Sequence, residues 1–382
     1  MSERQSICLN MIVKNEARVI ERCLRSVRPF ITTWVIVDTG STDGTQDLIG
    51  RLLADVPGEL HERPWVNFGH NRSEALALAR DKADYILLID ADEVLECQPD
   101  FRLPRLTKDL YRTKHFSGKS STTFFRPQLL RGNMPFRYEG VLHEYVECDL
   151  PYESAELSGL GCRGMFDGAR NTDPRAKYEA DARLLEEALK KEPGNHRYAF
   201  YLAQSYRDAG MGKKALEAYE KRAKMGGWAE EVYYSLHQIA LLLEVEGESR
   251  ANVTAAYLRA FEARPTRAEP LTELARLYRQ ASSYATAHLF AERATRIKKP
   301  DDILFLDESV YAWRALDELS IASYYIGDYR ASAALAERLL AEGSLPEKQR
   351  PRVIENLNFA RKKLALLGAD DEGSSGRTRS SP

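Results

Sequence analysis

The sequence predicts an α/β domain with a parallel sheet, followed by a domain of helical repeats. Short apolar runs alternate with helical patterns over residues 7–95, whereas strand patterns vanish from about Pro174 onward. From Ala369 the chain is rich in Gly, Ser and Arg, which is typical of disorder. We therefore predict an α/β domain at 1–173, a helical repeat domain at 174–368 and a disordered tail at 369–382.

Three strands and three helices are predicted in the first part of the chain. Each strand is a short apolar run, and each helix has apolar residues at helical spacing. The predicted strands are 7–13, 34–37 and 85–89, and the predicted helices are 17–27, 45–53 and 73–80. Apolar runs separated by helices favour parallel strands that are buried on both faces. Residues 96–170 are less regular and carry basic and aromatic residues.

The second half of the chain repeats a pattern of leucine, alanine and tyrosine. The stretch 202–219 resembles the stretch 271–287, and the interval from Tyr206 to Tyr278 equals two units of roughly 34–36 residues, the tetratricopeptide period. A degenerate hairpin at 230–265 separates them, and a fourth weak unit contains Tyr325. The pattern therefore predicts stacked helical hairpins.

The composition is that of an ordinary globular protein. The 382 residues carry a formal net charge of -2 and are 43% hydrophobic, which does not fit the basic footprint of a nucleic-acid binder. No apolar stretch approaches the roughly 18 residues of a membrane span. Five cysteines without C-x-x-C spacing favour reduced thiols over disulfides or zinc. We expect a cytoplasmic protein that binds no nucleic acid and is not embedded in a membrane.

Acidic residues stand where two predicted strands end. Asp90 and Asp92 follow the apolar run 85–89, and Asp38 ends the run before it. Paired carboxylates suit a hard cation such as Mg²⁺ or Mn²⁺, which binds carboxylates together with substrate phosphates. Ligands of α/β sheets bind at the carboxyl ends of strands. These residues therefore point to a nucleotide or another diphosphate-linked substrate.

Five segments in this order resemble family 2 glycosyltransferases. They are 7–16, 37–45, 64–72, 90–93 and 138–144. The resemblance implies a GT-A fold, which has a mixed sheet, and an inverting enzyme that uses a nucleotide-diphosphate sugar. Segments 64–72 and 138–144 are similar to the branch in which this domain is fused to tetratricopeptide repeats, a branch that includes glycocin-type protein glycosyltransferases.

The resemblance implies a donor site, with a UDP-sugar as the expected donor. The residues implied to lie beside the nucleotide are Lys14, Asn15 and Glu16. Asp38 would accept a hydrogen bond from the uracil ring. Arg72 begins a helix and would balance phosphate charge, helped by the positive end of that helix. Relatives carry a small residue followed by Arg-Asn, whereas this chain has Asn71-Arg72, so which of the two contacts the donor stays open.

The resemblance also implies a cation site and a base. Asp92 would bind the cation directly, with Asp90 contacting the ribose or a metal-bound water, and His143 would be a second cation ligand. Glu144, or alternatively Glu139, would take the proton from the acceptor. In a strand, His143 and Glu144 would point to opposite faces and have separate roles. The other interpretation of Glu144 is a structural ion pair, with one of three arginines as the partner: Arg126, Arg131 or Arg137.

The sequence of the helical repeats does not identify the acceptor. Stacked hairpins present a concave surface suited to a protein or an extended peptide, so the repeats would recruit a polypeptide acceptor or mediate self-association into a homo-oligomer. Alternatively they brace the catalytic domain, and the acceptor is a saccharide or a lipid-linked glycan. A third hypothesis is a non-catalytic repeat scaffold, against which the intact acidic motifs argue.

Overall fold

The computed structural model describes residues 5–117, 122–171, 173–342 and 344–375. The chain divides into two compact units. The first unit extends through Met225 and includes Ile303–Leu306, and the second contains Gly226–Asp302 and the chain from Asp307 onward. The helices between residues 174 and 225 thus belong to the same unit as the sheet, past the predicted boundary at 173.

The strands are β1 (Ile7–Val13), β2 (Thr33–Asp38), β3 (Gly58–Glu62), β4 (Tyr85–Leu88), β5 (Glu93–Cys97), β6 (Leu110–Ser117), β7 (Thr122–Arg131), β8 (Arg137–Glu139), β9 (Tyr145–Glu147), β10 (Ser154–Gly164) and β11 (Leu306–Asp307). Three helices lie between the first strands: α1 (Ile20–Val27), α2 (Thr45–Leu52) and α3 (Phe68–Ala79). The three predicted strands are confirmed as β1, β2 and β4. The polar strand β3 was not predicted, because its alternating charged residues lack an apolar run.

The main sheet is mixed. Its strands follow the order β3-β2-β1-β4-β7-β6-β10-β5, with β11 beside β7. The first four strands pair in parallel, as the sequence predicts, and β7 joins β4 in antiparallel orientation. The remaining strands come from residues 93–164, the region that lacks a regular pattern. Strands β8 and β9 form a separate two-stranded sheet.

Apolar side chains fill both faces of the sheet. Leu9, Ile36 and Leu87 pack against α1 and α2 on one face, whereas Cys8, Val35 and Ile86 pack against α3 on the other. Alternate residues of a strand point to opposite faces, so the continuous apolar runs supply both cores. This burial fixes the strand ends, where the acidic residues stand.

Three helices complete the first unit: α4 (Pro174–Lys191), α5 (His196–Asp208) and α6 (Gly212–Met225). Asp173 caps α4 by accepting from the backbone N–H of Ala176 at 3.0 Å. Tyr198 of α5 packs with Leu142 in a small core, and the Val141 N–H donates to Tyr198 Oη at 3.3 Å. The first helical hairpin therefore contacts the segment that links β8 to β9.

The second unit consists of helices. They are α7 (Ala229–Val245), α8 (Arg250–Ala263), α9 (Glu269–Gln280), α10 (Tyr284–Thr295), α11 (Ala315–Tyr325), α12 (Tyr329–Ala341) and α13 (Arg350–Ser375). Small residues such as Ala240, Ala275 and Ala291 are fully buried between helices, as the repeat pattern predicts. In the described part of the chain, no helix is long and apolar enough to span a membrane. Helix α13 continues past the predicted tail boundary at 369, and residues 376–382 lie outside the described residues.

Candidate active site

The end of β2 carries a buried carboxylate with one unused oxygen. Asp38 is fully buried, and its Oδ1 accepts from the backbone N–H groups of Gly40 and Ser41, both at 2.8 Å. Gly40 has a φ of 103°, which allows the tight turn over the carboxylate. The Oδ2 of Asp38 has no hydrogen-bond partner. Because an unsatisfied buried acceptor is costly, this atom is suited to an N–H group of a ligand.

The loop after β1 lies against the same turn. Asn15 adopts a left-handed φ of 57°. Its N–H donates to Ser41 Oγ at 2.8 Å, and its Oδ1 accepts from the Thr42 N–H at 2.8 Å. Lys14 immediately before it is exposed. The predicted segment 14–16 thus adjoins the turn that holds Asp38.

Asn71 and Arg72 have different environments. Asn71 is fully buried; its Oδ1 accepts from the Val66 N–H at 2.9 Å, and its Nδ2 donates to the Pro64 carbonyl at 3.0 Å. Both ends of this amide are therefore occupied in holding the segment before α3. Arg72, by contrast, contacts Asp90 and Glu144, so it is the one of the two that reaches the acidic motif.

Arg72 joins Asp90 to Glu144. Its Nη2 lies 2.5 Å from Asp90 Oδ1, and its Nε lies 2.6 Å from Glu144 Oε1. Burial by itself raises the pKa of Asp90, but the charges of Arg72 and Arg126 outweigh it and lower that pKa to about 2. The arginine paired with Glu144 is thus one that the sequence did not suggest as its partner. One guanidinium links a predicted nucleotide-binding carboxylate to the predicted base.

Asp92 and Glu16 flank one glycine. A methyl group added at Gly168 would lie 3.1 Å from both Asp92 Oδ2 and Glu16 Oε2. Burial and the negative charge of Asp92 raise the pKa of Glu16 to about 7, although the Ala169 N–H donates to Glu16. Burial and the charge of Asp90 likewise raise the pKa of Asp92. The positive charge of a hard divalent cation would relieve the repulsion between these carboxylates.

The segment 166–170, which precedes α4, covers these carboxylates. Gly168 and Ala169 approach them with their backbone, and Asp167 accepts two hydrogen bonds from the Arg22 guanidinium at 3.0 and 2.7 Å. This contact anchors the segment to α1. A side chain at 168 would make tight contacts with both acids, so that they would have to shift slightly.

His143 and Glu139 have other partners than Arg72. His143 is in the turn between β8 and β9 rather than in a strand, and its ring stacks on Tyr201 with centroids 3.8 Å apart. Packing around the ring and the charges of Arg197 and Arg170 lower the pKa of His143. Glu139 accepts from Arg137 Nη2 at 2.6 Å and from Tyr145 Oη at 3.1 Å.

One further group of potential metal ligands is buried behind Asp90. Among the described residues, Glu93, His115 and Cys162 place their ligand atoms within 4.8 Å of one another. His115 Nε2 and Gln128 Oε1 are 2.8 Å apart, and Arg126 Nη2 lies 2.6 Å from Glu93 Oε2. Glu93 is thus neutralised by an arginine, and the group forms a hydrogen-bonded support under the acidic motif.

Residues 8–135 match the family described as Glycosyl transferase family 2. This segment contains β1–β4 and the predicted nucleotide-binding residues. The N-terminal domain is a family 2 glycosyltransferase domain. In this family 2 domain, the acidic pair Asp90 and Asp92 stands at the end of β4, beside the parallel part of the sheet.

Several known proteins are similar to parts of the chain. The SPbeta prophage-derived glycosyltransferase SunS of Bacillus subtilis is 23% identical over 235 residues, which is 58% of this chain and 54% of SunS. A TPR repeat-containing protein of Synechococcus elongatus is 34% identical over 99 residues, 25% of this chain and 23% of that protein. The chain thus spans about half or less of the length of these relatives. The crystal structure of MamA aligns with a TM-score of 0.32 at 17% identity, covering 54% of this chain and 99% of MamA.

The sequence suggested Arg126 only as a possible partner of Glu144, but the structure gives it other partners. It pairs with Glu93, and its Nη1 lies 3.6 Å from Asp90 Oδ2. It comes from β7, in the region without a regular pattern. No local signal marks it, because only the pairing of β7 with β4 brings it to Asp90.

Proposed function

We propose that the protein is an inverting glycosyltransferase that moves a sugar from a UDP-sugar to an acceptor. The observation that carries the proposal is the Asp90–Arg72–Glu144 chain of ion pairs. In this chain, Arg72 would supply a positive charge for the donor diphosphate, and it directly contacts Glu144, a carboxylate that can accept a proton. An inverting transfer needs both groups at one centre.

The unused oxygen of Asp38 supports a uracil nucleotide. The N3–H of uracil is a donor, and Asp38 Oδ2 is a buried acceptor without a partner. A hydrogen bond between them would remove the cost of that unsatisfied atom. The loop 14–16 beside the turn would then border the base and ribose.

Mg²⁺ or Mn²⁺ fits the acidic edge of this site. Asp92 would hold the cation, and Glu16 offers a second oxygen on the other side of Gly168. When bound, such a cation stabilises the charge of the diphosphate. His143 stays a prediction as a cation ligand; its ring stacks on Tyr201, and the nearby cations make its surroundings less favourable to a metal ion.

Glu144 is proposed as the base. It would accept the proton of the acceptor hydroxyl while that oxygen bonds to the anomeric carbon and the carbon–diphosphate bond breaks. Its ion pair with Arg72 puts it in the same group of charges as Asp90, whereas the contacts of Glu139 are to Arg137 and Tyr145. Glu144→Gln should therefore retain UDP binding and lose at least about a hundredfold in transfer rate, measured by calorimetry and product formation. Unchanged transfer would contradict this role, and Glu139→Gln is the matched comparison.

The transferase proposal is tested by hydrolysis and transfer with a panel of UDP-, GDP- and TDP-sugars, with Mn²⁺ and with a chelator. We expect turnover of a UDP-sugar that depends on the cation and is lost in Asp92→Ala. The control is Asp47→Ala, an exposed acid on α2, which should behave as wild type. Absence of binding and turnover for every donor would overturn the proposal and favour a non-catalytic scaffold.

For the acceptor, we propose that the repeats bind a protein or peptide. In the second unit, a cavity of about 360 Å³ is lined by arginines, acids and aromatic side chains, including the half-exposed Tyr325 and Phe359. Tyr325→Ala and Phe359→Ala should reduce transfer to a protein acceptor but not to a simple sugar. An equal effect on both acceptors would favour repeats that only brace the domain, with a saccharide or lipid-linked glycan as acceptor.

A further inference from the structure

The pairing of β4 with β7 brings an arginine to Asp90. The two strands are antiparallel, with Tyr85 opposite Arg131 and Leu87 opposite Leu129. Asp90 follows the end of β4, and Arg126 of β7 reaches it with Nη1 3.6 Å from Asp90 Oδ2. Because register is fixed by the buried faces of the strands, the position of Arg126 is a property of the fold rather than of a flexible surface side chain.

Asp90 is thereby bracketed by two guanidinium groups, one at each oxygen. Arg72 Nη2 lies 2.5 Å from Oδ1, and Arg126 Nη1 lies 3.6 Å from Oδ2. Arg126 is held from behind by Glu93, whose Oε2 also accepts from the Asp90 N–H at 3.0 Å. Its side chain is 35% exposed, whereas that of Glu93 is 10% exposed. Arg126 is thus the more exposed side chain of this ion pair.

We propose that Arg126 is a second cation for the donor diphosphate, acting with Arg72. This inference rests on the proposed function, that the site binds a nucleotide-diphosphate sugar. A guanidinium binds phosphate oxygens through paired N–H groups. Since Glu93 and Asp90 already orient Arg126, little side-chain freedom is lost when the ligand binds.

The proposed contact between Arg126 and the diphosphate also acts while the sugar is transferred. As the bond from the anomeric carbon to the diphosphate oxygen breaks, its electron pair goes to that oxygen, and negative charge builds on the leaving UDP. The new bond forms to the acceptor oxygen, whose proton goes to Glu144. A fixed guanidinium beside the growing charge stabilises the transition state more than the ground state.

The competing explanation is that Arg126 only neutralises the buried Glu93. The two explanations differ in what a double substitution does. Glu93→Gln removes the charge that Arg126 would neutralise, so a purely structural Arg126 becomes dispensable in that background. A phosphate ligand stays necessary whether or not Glu93 is charged.

The experiment is calorimetric titration of the full chain with UDP and with uridine, in the presence of Mg²⁺. Arg126→Gln should weaken UDP binding about tenfold or more and leave uridine binding unchanged, and Glu93→Gln/Arg126→Gln should not recover UDP affinity. Arg126→Lys keeps a charge beside Glu93 and should fold as wild type, with UDP affinity reduced several-fold by loss of the paired N–H groups. Arg131→Gln, at the other end of β7, is the matched control and should bind UDP as wild type.

Wild-type UDP affinity in Arg126→Gln and Arg126→Lys, or its recovery in the double variant, would overturn the inference while the proposed function stands. Failure of the wild-type chain to bind UDP more tightly than uridine would overturn the proposed diphosphate site and the inference with it.

Discussion

At the scale of single residues, the site is defined by atoms that the fold leaves partly satisfied. Asp38 has one oxygen bonded to the turn after β2 and one without a partner. Asp90 has an arginine at each oxygen, whereas Glu16 and Asp92 repel each other. Each of these features supports one part of the proposed site: an N–H donor at Asp38, a phosphate near Asp90 and a cation between Glu16 and Asp92.

We expect Asp38→Asn to shift the nucleotide preference from UDP toward CDP. An asparagine can keep its oxygen on the backbone N–H groups of Gly40 and Ser41, and its NH₂ then replaces the free acceptor. UDP affinity should fall about tenfold or more, because two donors face each other, whereas CDP, whose N3 is an acceptor, should bind better than it does to wild type. Calorimetry with both nucleotides checks this. Equal UDP affinity in both proteins would contradict the base contact.

His115 makes stability depend on pH. Burial and the charge of Arg126 lower its pKa from 6.5 to about 2. Below pH 6.5 the unfolded chain therefore takes up a proton that the folded chain does not, and the free energy of unfolding falls as pH falls. The loss between pH 7 and pH 5 should be about 2 kcal/mol.

His115→Gln keeps an amide donor next to Gln128 and should remove this part of the acid sensitivity. Thermal or urea unfolding at pH 7, 6 and 5 gives the slope of the free energy of unfolding against pH. The matched control is His70→Gln, at an exposed histidine. The same slope in His115→Gln and wild type would show that His115 is not the responsible group.

At the scale of elements, α5 connects the helical part of the first unit to the proposed base. Arg197 Nε donates to the His143 carbonyl at 2.9 Å, and its guanidinium lies over the ring of Tyr145. Together with the Tyr198 contact to Val141, this holds the turn that carries Glu144. The first helical hairpin thus braces this turn, and the acceptor binding that we propose for the repeats concerns the second unit.

Arg197→Ala should lower kcat by about five- to tenfold with UDP affinity unchanged, because it loosens the turn before Glu144 at a cost of about 1 kcal/mol. The control is Arg175→Ala on α4, whose side chain is 76% exposed. Steady-state kinetics and UDP titration separate the two effects. A loss of UDP affinity equal to the loss of kcat would instead indicate general distortion of the site.

At the scale of the whole molecule, the chain forms two compact units, and the residues of the proposed nucleotide site lie in the first. UDP should therefore raise the unfolding transition of the first unit alone. At a UDP concentration of 100 Kd, the free energy of unfolding of the first unit should increase by about 2.7 kcal/mol. Differential scanning calorimetry with and without UDP resolves this, and Asp38→Asn should show a smaller shift. A shift of both transitions together would mean that the units unfold as one.

The sequence by itself determined the parts of this protein that depend on local patterns. Apolar runs predicted β1, β2 and β4, because residues buried on both faces of a sheet must be apolar, and helical spacing predicted the hairpins of the second half. The acidic motifs at 38 and 90–92 were visible because they end those runs. Helix α3 begins at Phe68, before the predicted residue 73, because the Asn67 side chain caps it.

Only the tertiary structure decided how the site is assembled. Arg126 lies on β7, a strand from the region without a regular pattern, and the antiparallel pairing of β7 with β4 brings it to Asp90. Arg72 pairs with Glu144 across about seventy residues of sequence. Likewise, the Asn71 side chain is occupied by hydrogen bonds to the loop before α3, whereas Arg72 contacts Asp90. These contacts join residues far apart in the chain, and pairings of that kind follow from strand register and packing rather than from any pattern in the neighbouring residues.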